Sequence, residues 1–318
     1  MMVMNVAKCI EGRKKLIYTI TFNPALDYVI KLQNFQTGQI NRSEKEYILP
    51  GGKGINVSII LKALGIDTTA LGFISGFVGE EIERKVKEYG IKTDFIKIEN
   101  EISRINVKIA EENKETAINT KGPFIDEKYI QLLYKKIEKI ENEDILVLSG
   151  SIPKGIQTDI YENICKSVEK KDIKILVDAT GELLLETLKY HPFLIKPNQD
   201  ELGEIFNVKI SNQDEAIEYA KKLQQKGAKN VLVSLGNMGA VFLDENGYSY
   251  KKKSLNSGKA INTVGAGDSM VAGFIAGYQL FHNYEKALQM GIAAATATVN
   301  SIFLATKEEI YKFFDKYY

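Results

Sequence analysis

The sequence predicts an α/β fold: a three-layer α/β/α core with a mainly parallel sheet, carrying a small β-sheet lid. Three observations lead there. Short apolar runs alternate with amphipathic stretches over most of the chain, an Asn-Gly step joins two strand-like runs near its end, and two segments of alternating apolar and polar residues break that rhythm.

Taken in order, LIYTITF (16–22), TTALGFI (68–74), DILVLSG (144–150), IKILVDA (173–179), FLIK (193–196) and NVLVSLG (230–236) read as strands buried on both faces. Helical patterns fall between them, near 54–64, 79–89, 126–141, 158–170, 199–206 and 213–226, so the chain repeats a βαβ unit. The run 240–253 turns at Glu245-Asn246-Gly247, a hairpin signal, and three helices follow the glycine-rich loop at Gly265. Segments 27–49 and 91–120 alternate as strands with one wet face do. They are expected to pair as a small sheet outside the core, placed as a lid over a cleft or as a plain peripheral sheet.

Composition narrows the function. Hydrophobic residues make up 44% of the 318, charged ones 26%, and the formal charge is +1, which gives no field for nucleic acid or an anionic membrane. Neither is expected as a partner. Cys9 and Cys165 lack CxxC spacing, so neither a disulfide framework nor a zinc site is expected, and a reducing, cytoplasmic setting fits. The opening MMVMNVAKCI lacks a basic leader and a cleavage site, and no later apolar run is long enough to span a bilayer. Of 42 basic residues only Arg13, Arg42, Arg84 and Arg104 are arginine, so the planar fork stands out where it occurs.

Two glycine-rich stretches carry the chemistry. LPGGKGIN (49–56) is not a P-loop, because GxxxxGK[ST] would need Gly at Tyr47 and Ser or Thr at Gly54. The run from Gly265 fails as GxGxxG at Met270 and has no ribose-binding carboxylate at the required distance, which disfavours a nicotinamide-dependent oxidoreductase. In NTVGAGDSMVAGF (262–274), Gly265, Ala266 and Gly267 lead into a helical pattern and offer bare N–H groups to an anion. Asp268 follows in the first turn. Phosphoryl transfer to a hydroxyl needs fixed donors around the moving group and a carboxylate to take the proton, and this stretch supplies both. The competing reading is an Asp favoured there by the helix dipole, a matter of about 0.3 to 1 kcal/mol.

The same stretch resembles the C-terminal signature of the ribokinase-like sugar kinases, the phosphofructokinase B family. TFNPALDYVI (21–30), PGGKGINVS (50–58), SRINVKI (103–109), NTKGP (119–123), LSGSIPKG (148–155), VDATGELL (177–184), IKPNQDEL (195–202) and VSLGNMGA (233–240) agree in order and spacing. The resemblance spans about 16–310, which implies one kinase domain with the lid segments inserted and residues 1–15 as an N-terminal extension. It implies ATP and Mg²⁺, with Asp268 as catalytic base and Gly265, Ala266 and Gly267 as the anion hole. By the family's Asn-x-x-Glu pattern Asn198 and Glu201 would place Mg²⁺, although the same spacing is also a capping box. Lys196 would lie near the nucleotide phosphates, and Ser234, Leu235, Gly236, Asn237, Met238 and Gly239 would hold the nucleotide.

On the acceptor side the resemblance assigns Asp27 to sugar hydroxyls, and Gly51, Gly52, Lys53 and Asn56 to the approach of the acceptor. Arg104 would meet a substrate phosphate, with Arg42 and Lys121 as further cations for it. The hexose-phosphate branch resembles the sequence best, so D-fructose 1-phosphate is the expected sugar-phosphate substrate. Tagatose 6-phosphate and fructose 6-phosphate are the alternatives, and a homodimer through the β lid is expected. A non-catalytic sensor on the same fold would not need Asp268, Asn198 and Glu201 together.

Overall fold

The computed structural model describes residues 15–317 apart from 112–113, 257, 259 and 262. Cys9 and nearly all of the expected N-terminal extension therefore lie outside the described residues. The chain runs β1 (Ile17–Thr21), β2 (Ala25–Lys31), β3 (Lys45–Gly51), α1 (Lys53–Ala63), β4 (Thr68–Ser75), α2 (Gly76–Glu88), β5 (Lys92–Thr93) and β6 (Ile96–Ile98). It continues with β7 (Arg104–Ala110), β8 (Glu115–Ile118), α3 (Glu127–Ile137), β9 (Ile145–Ser149), α4 (Ile160–Ser167), β10 (Lys174–Asp178), α5 (Gly181–Leu185) and β11 (Leu194–Ile195). The remainder is α6 (Gln199–Phe206), α7 (Gln213–Gln225), β12 (Asn230–Ser234), β13 (Ala240–Leu243), β14 (Ser249–Lys252), α8 (Ala266–Phe281), α9 (Tyr284–Val299) and α10 (Lys307–Phe314).

The apolar runs form the expected core sheet, in the order β14-β13-β12-β11-β10-β9-β1-β4-β5 with β6 also on β4. Its strands are parallel except β13 and β14, the hairpin, which add antiparallel at one edge. Side chains such as Ile17, Val147 and Leu232 bury on one face against α1, α8, α9 and α10. Ile20, Leu146 and Val177 bury on the other against α3, α4, α6 and α7. Three layers result, because each helix has one apolar stripe and the sheet has two apolar faces to cover. Ile310 and Phe314 of α10 are buried, so the core extends past the boundary near 310. Among the described residues no helix is long and apolar enough to cross a membrane.

The lid is a four-stranded sheet, β3-β2-β7-β8. The expectation for 91–120 needs correction in its first third. β5 and β6 pair with β4 in the core, and Ile96 and Ile98 bury in the core cluster around Phe73 and Tyr129, so only β7 and β8 belong to the lid. A pair of serines sits at the junction of core and lid, Ser75 ending β4 and Ser103 just before β7. Ser75 N–H donates to Ser103 Oγ (2.8 Å), Ser103 N–H to the Ser75 carbonyl (3.0 Å), and Ser75 Oγ to the Ile98 carbonyl (2.7 Å).

Register fixes which lid side chains share a face. Leu49, Asp27 and Asn106 stand side by side on neighbouring strands, and so do Ile48, Tyr28, Val107 and Ile118. Side chains alternate along a strand, so these two rows lie on opposite faces. The first includes the polar residues of the cleft. The second is apolar, with Ile48 and Ile118 exposed.

Candidate active site

A cleft of about 730 Å³ lies between the C-terminal ends of the core strands and the lid. This is where an open parallel sheet presents loops and helix N-termini to a ligand. At its floor Gly265 caps α8 with φ of 78°, a left-handed conformation that glycine adopts without strain, and a Cβ there would stand 2.6 Å from Leu304 Cδ2. The N-terminus of α8 thus opens into the cleft without a side-chain cap.

Asp268 sits in the first turn but does not cap it. Its carboxylate turns toward α1, where Asn56 Nδ2 donates to Asp268 Oδ2 at 2.7 Å. The next residue, Ser269, pairs with Thr298 of α9 through their hydroxyls (2.8 Å), which ties this turn to the neighbouring helix. Asp268 is 5% exposed. Burial first, and then the nearby Asp178 carboxylate, push its pKa up to about 6 against the opposing pull of Asn56, Lys53 and Lys196. A carboxylate so tuned is a far stronger base than an exposed Asp while still ionised at neutral pH.

Asp178, the last residue of β10, was not singled out from the sequence. It is buried between two ammonium groups, Lys196 Nζ at 3.1 Å from Oδ1 and Lys53 Nζ at 3.4 Å from Oδ2. Burial opposes its charge, but Lys196 and Lys53 outweigh that cost and lower its pKa. Burial also opposes the charge of Lys53, yet Asp178, Asp268 and Glu201 together raise its pKa above the ordinary value. Lys53 therefore stays cationic beside the α8 N-terminus, and Lys196 reaches the same place, since a Cβ on Gly267 would lie 3.6 Å from Lys196 Nζ. The available signal was position alone, an acid at the C-terminal end of a buried strand.

Asn198 and Glu201 form the capping box that their spacing also allows. Asn198 Oδ1 accepts from Glu201 N–H and Glu201 Oε2 accepts from Asn198 N–H, both at 2.8 Å. Both residues line the cleft. Among the described residues no group of three or more His, Cys, Asp or Glu side chains could hold a metal. One carboxylate and one amide oxygen fit Mg²⁺ only in its usual mode, with waters and substrate phosphates completing the shell.

Next to Asn198, Ser234 ends β12, and Ser234, Gly236, Asn237 and Gly239 line the cleft. The side chain of Leu235 instead points into the core at 1% exposure, and Met238 packs partly buried against the same cluster. At those two positions only backbone is left for a ligand, as the tight turn closed by Leu235 N–H on the Gly239 carbonyl (2.8 Å) requires.

At the lid side Asp27 takes two hydrogen bonds from β7, Asn106 Nδ2 to Oδ1 (2.9 Å) and Lys108 Nζ to Oδ2 (2.7 Å). Gly51 packs over this carboxylate, and a Cβ there would lie 2.8 Å from Asp27 Cγ, so Gly51 makes room for Asp27 and is absent from the cleft lining. Gly52, Lys53 and Asn56 do line it. Arg104 lines it from the first position of β7, with Nε on the Asn23 carbonyl at 3.1 Å. Burial lowers its pKa and Asp27 partly offsets that, but a guanidinium stays charged.

Two expected cations are not brought in. Arg42 is exposed in the loop between β2 and β3, and exposed Lys121 contributes its carbonyl to Asn23 Nδ2 (3.0 Å); neither lines the cleft. Both side chains are exposed, so their charge faces solvent. In their place β7 supplies Asn106 and Lys108, which follow Arg104 at the two-residue spacing of a strand face.

Comparisons with known proteins agree with this architecture. The chain is 39% identical over 293 residues to the 1-phosphofructokinase of Bacillus subtilis (strain 168), covering 92% of this chain and 95% of that one. It is also 39% identical over 287 residues to the D-tagatose-1-phosphate kinase of Bacillus licheniformis, covering 90% and 93%. The crystal structure of phosphofructokinase-2 from Escherichia coli in complex with substrates and products superposes with a TM-score of 0.89 at 28% identity, covering 95% of this chain and 99% of that one. The family model for pfkB family carbohydrate kinases matches residues 20–308. With that match laid over the cleft floor, the lid and the α8 turn, this chain belongs to the pfkB family of carbohydrate kinases.

Proposed function

We propose that this chain transfers the γ-phosphoryl group of ATP to the 6-hydroxyl of D-fructose 1-phosphate, giving D-fructose 1,6-bisphosphate and ADP. The observation that carries the reading is one cleft with two chemically distinct ends. A helix N-terminus with Lys53, Lys196 and a buried carboxylate marks the floor, and Asp27 with Arg104 marks the lid. The first suits a nucleotide triphosphate, the second a hydroxylated anion. The relative named 1-phosphofructokinase supports the choice of sugar.

Asp268, oriented by Asn56, takes the proton of the 6-hydroxyl as that oxygen bonds to the γ-phosphorus and the bond to the ADP oxygen breaks. The N–H groups of Ala266 to Asp268, together with Lys53 and Lys196, stabilise the charge on the transferring group. Asn198 and Glu201 would hold Mg²⁺, which supplies charge neutralisation for the phosphates when bound. Ser234 to Gly239 receive the nucleotide, and the guanidinium fork of Arg104 pairs with the substrate's own phosphate. The kinase unit takes in residues 16–310 and the α10 turns beyond.

The lid also serves as a dimer contact in this reading. The apolar row Ile48, Tyr28, Val107 and Ile118 faces away from the cleft, and covering it with the same row of a second copy would remove it from water. The test of substrate is a coupled ADP-release assay over D-fructose 1-phosphate, D-tagatose 1-phosphate, D-fructose 6-phosphate, D-tagatose 6-phosphate and D-ribose. The highest kcat/KM is expected for D-fructose 1-phosphate. A preference for free ribose would overturn the assignment.

A further inference from the structure

The lid strand β7 turns three polar residues toward the cleft, Arg104, Asn106 and Lys108, spaced by two residues each and hence about 6.7 Å apart. The outer two have explained contacts. Asn106 is only half explained. It is 6% exposed, its Nδ2 donates to Asp27 Oδ1, and its Oδ1 has no hydrogen-bond partner among the described residues.

The orientation of this amide is fixed by chemistry. An ionised carboxylate only accepts, so the NH₂ end of Asn106 must face Asp27 and the carbonyl end must face away from it. A buried acceptor left empty is costly, and native proteins fill such positions with a protein group, water or a ligand. Nothing of the described lid fills this one, while the residue itself lines the cleft.

We propose that Asn106 is a sugar-binding, specificity-determining residue, its Oδ1 accepting a secondary hydroxyl of the acceptor next to the hydroxyl taken by Asp27. The two acceptors stand on neighbouring strands, where backbones run about 4.8 Å apart, and each oxygen of Asp27 keeps a lone pair beyond the bonds from Asn106 and Lys108. Adjacent hydroxyls of a ketohexose 1-phosphate, O3 and O4, suit such a pair. D-fructose and D-tagatose differ in configuration at C4 only, so a pair of acceptors at this spacing distinguishes them. This deepens the reading of the cleft as a sugar-phosphate kinase site and rests on it.

The experiment uses D-fructose 1-phosphate with its 3-deoxy and 4-deoxy analogues and D-tagatose 1-phosphate, on the wild-type chain, Asn106→Ala and Lys108→Met. Wild type should lose roughly 10- to 100-fold in kcat/KM with one or both deoxy analogues, the scale of an unfilled buried partner. Asn106→Ala should raise KM for D-fructose 1-phosphate by a similar factor, leave KM for ATP unchanged, and no longer discriminate against one of the analogues. Its preference between the fructose and tagatose esters should narrow. Lys108→Met, which disturbs Asp27 without touching the Asn106 carbonyl, should keep that discrimination. If wild type tolerates both deoxy analogues, the proposal fails whatever the variants do. It fails also if Asn106→Ala and Lys108→Met show one pattern, since Asn106 would then act through Asp27 alone. A wild type that phosphorylates none of the sugar esters would instead sink the reading of the site as a whole.

Discussion

Asp268→Asn should make the protein more stable and nearly inactive at once. The carboxylate is buried beside Asp178, and its pKa stands at about 6 against an ordinary 3.8, so the folded state binds that proton more tightly than the unfolded chain does. For an acid with a raised pKa, the folded state is penalised as pH climbs from the unfolded value through the folded one, and the penalty is complete above about pH 6. The gap corresponds to about 3 kcal/mol at pH 7.5 and to about half of that at pH 5. Asparagine removes the charge and keeps an acceptor for Asn56 Nδ2, so the variant should recover up to those amounts. Urea denaturation of both proteins at pH 7.5 and pH 5 measures the gain, and steady-state kinetics should show kcat reduced by roughly 10² or more. A variant less stable than wild type at both pH values, or a gain that does not shrink at pH 5, refutes the electrostatic argument. Near wild-type kcat refutes the role of base.

Wild-type kcat/KM should fall tenfold per unit below about pH 6 as Asp268 takes up its proton, which a pH series on D-fructose 1-phosphate will show. Arg104→Ala should raise KM for the sugar phosphate roughly 10- to 150-fold and leave that for ATP unchanged, with Arg104→Lys recovering part; an unchanged sugar KM would remove Arg104 from the phosphate. Glu201→Gln should keep the capping contact to Asn198 and alter stability by less than about 1 kcal/mol while raising the Mg²⁺ concentration needed for half-maximal rate. Lost stability with unaltered Mg²⁺ dependence would leave Glu201 as a cap only. Ile48→Asp with Ile118→Asp should shift the sedimentation behaviour from dimer to monomer, and an unshifted profile would move the contact away from the lid.

Most of the core was legible because its strands are apolar on both sides and its helices on one, and those periods survive without tertiary information. Residues 91–98 misled for a physical reason. Strands of two and three residues, Lys92–Thr93 and Ile96–Ile98, alternate like lid strands, and it takes their pairing with β4, with Ile96 and Ile98 buried against Phe73, to assign them to the core. Within the site, backbone-dictated features such as Gly265 and Asn198 could be read directly, since they follow from local geometry. Asp178 could not, because an acid ending a strand declares nothing until Lys53 and Lys196 converge on it from elements far away in sequence. Arg42 and Lys121 show the reverse, as charge is visible in sequence and direction is not.

The serine pair at 75 and 103 lies where the core sheet meets the lid, the two parts that share the proposed catalytic residues. Asp27, Arg104, Asn106 and Lys108 all ride on the lid sheet, whereas Asp268, Lys196 and Asn198 belong to the core. In the proposed reading, nucleotide and sugar would thus be received by different parts of the protein, joined at a seam where Ser75 is also the N-cap of α2. In that reading, the alignment of acceptor with donor depends on how this seam holds the two sheets together.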